Sequence, residues 1–181
     1  MFVLAILPDM NNLVFDIFEV KLGWIGALAT DNGLYRITLP QVSQSDCYSM
    51  LIKDVAGASR IPSRFTGLTL KLYEYFEGSI AQFDGIQLDL NEISPKYSEL
   101  WKACMAIPYG QTRSYKWLSI KAGLLNGWRV AGQAMANNRF PIVIPCHRVI
   151  ASDGSLGGFA GGAKQLGLKS YLLELESSNR Y

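Results

Sequence analysis

Ser114-Tyr115-Lys116-Trp117-Leu118-Ser119-Ile120-Lys121-Ala122, then Gly123, then Gly127-Trp128-Arg129-Val130-Ala131-Gly132-Gln133-Ala134-Met135-Ala136 is the stretch of this 181-residue chain whose reading decides its fold. Two short helices joined by a glycine-containing turn, the second reaching about Asn137, form a helix-turn-helix pattern. The second helix is built mostly of small residues with one protruding cation, Arg129, so it can lie unusually close to another backbone. That backbone is either a nucleic acid or the protein's own core, and the internal Gly132 keeps the second reading open.

Upstream, Ser94-Pro95 places a good N-cap residue before proline at a first helical position, which marks a boundary at Asn91 to Pro95. A helix carrying Leu100, Cys104 and Ile107 on one apolar face follows and stops at Pro108-Tyr109-Gly110. Cys104 and Cys47 read as small core hydrophobes. The first half holds strand-like runs at Leu13 to Phe18, Trp24 to Leu28 and Leu34 to Thr38, with Asp31-Asn32-Gly33 as a hairpin signal. Helices are expected near Asp46 to Val55 and Leu68 to Phe76, and a short strand at Ile86 to Leu90. Met1 to Leu7 is apolar but has no basic residue before it and ends at Pro8-Asp9, so it reads as a strand, not a signal peptide or membrane span. The expected architecture is α/β: an antiparallel-sheet unit over residues 1–94 and a mostly helical unit over 95–181.

With 49% hydrophobic and 18% charged residues, the chain is globular, neither disordered nor fibrous. Its 3 cysteines are scattered without a C-x-x-C pair, which argues against a disulfide framework or a cysteine zinc cluster and for a reducing compartment. A single histidine excludes a multi-histidine metal site, and no carboxylate spacing suggests another. Residues 1–94 hold 6 Lys/Arg against 11 Asp/Glu, whereas residues 95–181 hold 11 against 4. A basic half of that size favours a polyanion such as DNA or RNA, although a merely solvated basic face fits the charge as well.

Downstream of the two helices, the apolar run Pro141-Ile142-Val143-Ile144 leads into Pro145-Cys146-His147-Arg148, which contains the only histidine. A thiol needs little help to act as a nucleophile near neutral pH, and an imidazole supplies it. Read as an extended segment, the tetrapeptide sends neighbouring side chains to opposite faces, so Cys146 and His147 are not expected to touch directly. Arg148 to Ala151 then reads as extended, followed by a turn at Ser152-Asp153-Gly154. The loop Leu156-Gly157-Gly158-Phe159-Ala160-Gly161-Gly162 lacks the context and the lysine of a phosphate-binding loop, which rejects nucleotide binding. Its glycines allow close approach to a flat ligand. A last helix turns Leu168, Leu172 and Leu175 inward, with Lys169 and Glu176 near its ends.

Taken together, Pro145-Cys146-His147-Arg148-Val149-Ile150, Arg129 to Met135, Asn138, the glycine loop and Leu172-Leu173-Glu174-Leu175-Glu176 closely resemble the O6-alkylguanine-DNA alkyltransferases. Ile107-Pro108-Tyr109-Gly110-Gln111-Thr112 with Ser114-Tyr115 extends the likeness, which covers nearly all of residues 95–181. The first half is similar only loosely to that family's ribonuclease-H-like N-terminal domain. The resemblance implies a cytoplasmic, cofactor-free, metal-free monomer that acts on double-stranded DNA containing O6-alkylguanine. Its thiol would take the alkyl group irreversibly, once per molecule; activity on O4 of thymine is left open.

By the same resemblance, Cys146 is the acceptor, His147 the base acting through a water, and Glu176 the carboxylate that orients the imidazole. Tyr115 would protonate the departing guanine and Asn138 would hydrogen-bond near the cysteine turn. Arg129 would fill the base stack once the damaged nucleotide flips out, with Tyr115, Trp128, Ala131 and Gly132 at the DNA. Pro141, Gly157, Phe159, Ala160 and Gly161 would line the alkyl and guanine pocket. The chain departs from the common family pattern at Arg139, where proline is frequent, and at Phe159-Ala160, where Tyr-Ser is frequent. Arg139 then either contacts DNA or faces solvent, and the loop must bind guanine through backbone groups.

Elementary chemistry supports these roles independently. Displacement at O6 leaves a guanine anion unless a phenol such as Tyr115 protonates it. Unstacking the base costs roughly a few kcal/mol, least for a poorly pairing lesion. Each residue also has a plainer reading: Glu176 as a solvated helix-end carboxylate with Glu174 as its rival, Arg129 as a phosphate contact, Arg148 as a structural ion-pair partner, Lys169 as a solvated lysine or a brace for the cysteine loop. Competing functions rank lower. A non-catalytic lesion binder of the alkyltransferase-like type would lack Cys146, a Cys-His-Glu hydrolase would need an oxyanion hole, and a plain helix-turn-helix regulator would have no use for the tetrapeptide.

Overall fold

The computed structural model describes residues 12–53, 55, 57–160 and 165–178. The expected strand at Met1 to Leu7 and the loop glycines Gly161 and Gly162 lie outside them. Alternating apolar residues build β1 (Val14–Val20), which pairs antiparallel with β2 (Gly23–Thr30), Phe18 facing Ile25. The tight turn ends at Gly33, whose φ of +132 suits glycine, and β3 (Gly33–Ile37) returns along β2.

Helix α1 (Gln44–Leu51) starts where the Ser43 hydroxyl accepts from the Asp46 amide, and stops short of the expected Val55. A two-residue β4 (Ser59–Arg60) adds parallel to β1, giving the order β3-β2-β1-β4, so the sheet is antiparallel except at that edge. Then α2 (Thr66–Phe76) crosses the sheet. The expected strand at Ile86 to Leu90 is reduced to a single bridge between Leu34 and Leu88, with the Leu34 amide donating to Gln87 O at 2.8 Å. Turns at Asp84-Gly85 and Asn91-Glu92 flank it on either side.

The second half opens with α3 (Pro95–Met105), capped as expected by Ser94, whose hydroxyl accepts from the Tyr97 amide at 3.3 Å. A short β5 (Arg113–Ser114) pairs parallel with β6 (Val149–Ile150), while Ser114 caps α4 (Tyr115–Lys121). Helices α5 (Trp128–Ala136) and α6 (Leu166–Ser178) complete a mixed α/β fold. Among the described residues no helix is long and apolar enough to cross a membrane.

Period-two alternation splits β1 between two cores: Phe15 and Ile17 pack with Leu28 and Leu51, whereas Phe18 and Val20 face the other side. The second core is continuous across both halves, running from Phe18, Leu72 and Phe76 to Leu100, Trp101, Phe140 and Leu172. Trp101 is 1% exposed and donates from Nε1 to Ala134 O at 2.9 Å, locking α3 against α5. Removing a buried aromatic of this kind costs about 3–5 kcal/mol. Ala131 and Ala134 are fully buried, so one small-residue face of α5 serves the protein's own core.

Candidate active site

The segment before the reactive tetrapeptide is anchored by apolar side chains and one amide. Phe140, Ile142 and Ile144 are buried, and Ile142 takes φ +75, a strained conformation for a β-branched residue. Asn138 holds this shape: its Nδ2 donates to Ile144 O at 2.9 Å and to Cys146 Sγ at 3.1 Å, and its Oδ1 accepts from the Phe140 amide at 2.9 Å. The sulfur therefore meets a fixed donor.

Cys146–Arg148 forms a 3-10 turn, not the extended segment expected; the strand begins only at Val149. The turn brings the Arg148 amide onto Pro145 O at 2.9 Å and sends the guanidinium inward, where Nη1 donates to Ile107 O at 2.7 Å. Successive residues of such a turn point about 120° apart, so Cys146 and His147 still diverge.

His147 is fully buried, with Nε2 2.7 Å from Glu176 Oε1. A ring nitrogen facing a carboxylate carries the proton, which leaves Nδ1 as the free base; Nδ1 is buried with no protein partner. Glu176 is equally enclosed. Oε2 accepts from Arg148 Nε at 2.9 Å and from the Gly110 amide at 2.9 Å, while Oε1 accepts from Arg148 Nη2 at 3.0 Å and the Tyr75 hydroxyl at 2.9 Å. Gly110 reaches it from a turn at φ +71, which glycine adopts without strain. Glu174, the rival, is exposed and accepts from the Ser170 hydroxyl.

Burial alone would raise the Glu176 pKa, but hydrogen bonds and charge from His147 and Arg148 outweigh it and hold the carboxyl at about 2. Burial pushes His147 below its ordinary value, only partly offset by Glu176. Burial also raises the Cys146 thiol, against the Asn138 hydrogen bond and the Lys169 charge. The resting pair is thus a neutral thiol and a neutral imidazole on an ionised carboxylate.

Lys169 is fully buried, not solvated: Nζ donates to Val149 O and Leu156 O, each at 2.6 Å, bracing β6 and the glycine loop. Burial lowers its pKa to about 8. Tyr115 donates its hydroxyl to Gly158 O at 3.2 Å, and burial raises its pKa, so it remains a phenol.

Cys146, 3% exposed, forms part of two cavities. One of about 510 Å³ is walled by Tyr115, Trp128, Gly132, Met135, Gly157 and Phe159. The other, about 340 Å³, lies toward the sheet and includes Pro141, Asn138, Ala160, Thr38 and Gln41. The expected pocket residues are thus divided between them, and Gly161 lies outside the described residues. Arg129 and Trp128 are exposed on α5.

Two expected DNA contacts need correction. Ala131 is 0% exposed because its face of α5 packs inward, so its side chain cannot touch a ligand. Arg139 is half-buried and not in open solvent: its guanidinium stacks 4.4 Å above the Tyr35 ring and donates to Asp89 O at 3.3 Å, binding the two halves together. Tyr75 joins the carboxylate cluster without having been singled out in the sequence, and Gly110 joins it from the Pro108-Tyr109-Gly110 stop, for which no site role was expected. The only signal for Tyr75 is a hydroxyl on the apolar face of α2, which needs a partner once buried. Among the described residues no group of three or more His, Cys, Asp or Glu could hold a metal ion.

A family model described as the DNA binding domain of 6-O-methylguanine DNA methyltransferase matches residues 95–178. A methylated-DNA–protein-cysteine methyltransferase of Mycobacterium tuberculosis is 40% identical over 117 residues, 65% of this chain and 68% of the relative. Its counterpart in Methanosarcina barkeri is 44% identical over 112 residues, 60% of this chain and 66% of the relative. The crystal structure of Mycobacterium tuberculosis OGT in complex with DNA superposes with a TM-score of 0.75 at 32% identity, covering 92% of this chain and 94% of that one. Sequence and fold agree, and the chain belongs to the methylated-DNA–protein-cysteine methyltransferase family.

Proposed function

We propose that this chain repairs double-stranded DNA by moving an alkyl group from O6 of guanine directly onto Cys146, irreversibly and once per molecule. The observation that carries this reading is the buried Arg148-Glu176-His147 network behind a thiol that opens onto a cavity large enough for a flipped base.

In the reaction, the thiol proton passes through a water to His147 Nδ1, and the imidazolium formed is stabilised by Glu176. Asn138 donates to the developing thiolate. The sulfur attacks the alkyl carbon, an S–C bond forms as the C–O6 bond breaks, and the electron pair stays on guanine. Tyr115, a phenol near the same cavity, supplies the proton that neutralises the leaving base. The proton held by His147 returns through solvent to the Tyr115 phenolate, and the thioether left on Cys146 offers no leaving group for water to displace, which accounts for single use.

Helices α4 and α5 act as the helix-turn-helix element of residues 95–178, with Arg129 entering the stack vacated by the flipped nucleotide and Trp128 and Gly132 near it. Residues 1–94 act as a ribonuclease-H-like supporting domain and residues 95–181 as the DNA-binding and transfer domain, sharing the continuous core described above. The protein works as a cytoplasmic monomer on its DNA. Pro141 and Ala160, in the second cavity, leave room for adducts beyond methyl.

Incubation with duplex DNA carrying labelled O6-methylguanine is expected to leave one label per chain, on Cys146, and none on Cys146→Ala. Repeated turnover, or transfer by the alanine variant, refutes the reading.

A further inference from the structure

We infer that Tyr75, from the N-terminal half, is a positioning residue of the alkyl-transfer site, setting the orientation and basicity of His147 through the Glu176 carboxylate. The inference rests on the alkyl-transfer reading and extends it to a residue outside the matched DNA-binding domain.

The geometry is specific. Tyr75 lies near the end of α2, 0% exposed, with its ring packed edge-on to Phe76 at 5.3 Å and to Tyr109 at 6.3 Å. Its hydroxyl donates to Glu176 Oε1 at 2.9 Å, the same oxygen that lies 2.7 Å from His147 Nε2, and stands 3.3 Å from that nitrogen. An ionised carboxylate only accepts, so the phenolic proton is committed to Glu176. Burial and the Glu176 charge push the Tyr75 pKa well above its ordinary value, which keeps that proton in place.

Tyr75, Arg148, Gly110 and His147 together fill the carboxylate's acceptor positions. Remove the phenol, and Oε1 loses a donor and becomes more basic toward the imidazole. The charged and titratable groups around His147 are Glu176, Arg148, Lys169 and Cys146, with Tyr75 in contact; Tyr109 stands close to Tyr75. Of these, Tyr75 adjusts the Glu176–His147 pair without carrying a charge. The donation to Glu176 is shorter than the contact to His147, so its effect governs the sign: Tyr75 keeps the imidazole from holding its proton too tightly.

The measurement is the second-order rate with free O6-benzylguanine between pH 5 and 9 (a chosen range of roughly four units around the reference pKa of His), for the full chain and for Tyr75→Phe, which keeps the ring. The variant is expected to react roughly three- to tenfold more slowly on the acid limb and up to about threefold more slowly at neutral pH, the limb having moved up by about half a unit to one. In a Glu176→Gln background the same substitution should add little. A wild-type rate and limb, a slower rate with an unmoved limb, or losses that multiply with Glu176→Gln each overturn the inference. Should Tyr75→Phe fail to fold, 3-fluorotyrosine at position 75, a stronger donor of nearly the same size, must move the limb downward; an unmoved limb is again decisive against it. If the unmodified chain transfers nothing, the alkyl-transfer reading itself fails, which separates the two outcomes.

Discussion

Asn138 and Cys146 are joined by a hydrogen bond in which the amide Nδ2 lies 3.1 Å from Sγ while the same nitrogen reaches Ile144 O at 2.9 Å. One side chain therefore fixes the strained turn around Ile142 and donates to the sulfur on which, in the proposed transfer, negative charge develops. Structure and chemistry are coupled through a single amide.

Asn138→Ala should accordingly lose both. Hydrogen bonds to charged groups are worth about 1.5–3 kcal/mol, so the transfer rate should fall by on the order of tenfold to a hundredfold. Leaving the Phe140 amide without its partner, while Ile144 O keeps only the Cys146 amide, should also lower stability by about 1–3 kcal/mol. Stopped-flow labelling and urea unfolding read the two effects separately; an unchanged rate in a destabilised protein would confine Asn138 to the turn.

A second prediction concerns acid. Glu176 sits at about 2 in the fold against 4.5 in an open chain, and His147 is lowered from 6.5. Both groups bind fewer protons folded than unfolded, so stability is complete above the unfolded values. It falls first as His147 is driven to charge below 6.5, then as pH drops through 4.5 toward 2. Glu176→Gln should be less stable near pH 7, because Arg148 loses its buried counter-charge, at a cost of about 3–5 kcal/mol. It should also lose less between pH 5 and 3, a window about two units wide around the carboxyl reference values. Urea midpoints measured across pH test this, and parallel curves for the two proteins would contradict it.

Asn138 and Glu176 are reached through the resemblance of their motifs to the alkyltransferases, whereas the tetrapeptide is legible from its own chemistry. Ser94 and Ser114 could be read as caps for the same reason: a cap depends on the three residues that follow it. What escaped depends on partners distant in the chain. Tyr75 meets Glu176 across 101 residues, and nothing near Tyr75 announces that contact. Arg139 reads as a DNA or solvent contact because it stands as an added cation where the family often has proline; the aromatic face of Tyr35 that claims it belongs to β3 in the other half of the chain. Ala131 shows the limit of composition, since a helix of small residues has two close-packing faces and its packing against α3 and α4 decides which is inside. The extended reading of Cys146–Arg148 failed because the buried pull of Ile107 O and Glu176 on Arg148 bends the chain into a 3-10 turn.

Arg129 provides the test that separates binding DNA from reacting with a thiol. It is exposed at the start of α5, beside Trp128 at the cavity wall, whereas the hydrogen bonds around Cys146, His147 and Glu176 involve other residues. Free O6-benzylguanine needs no flipping and no duplex, so Arg129→Ala should react with it within about twofold of the parent chain, a difference of about half a kcal/mol or less. Repair of O6-methylguanine in duplex DNA requires the base to be held outside the stack, at a cost of a few kcal/mol, so the same variant should lose on the order of tenfold or more there. Arg129→Lys distinguishes the two ways a cation can act: a phosphate contact survives the exchange, whereas a side chain filling a base-sized gap depends on the planar guanidinium. Equal losses on the free base and the duplex would take Arg129 out of the flipping step, and full rescue by lysine would reassign it to the phosphate backbone.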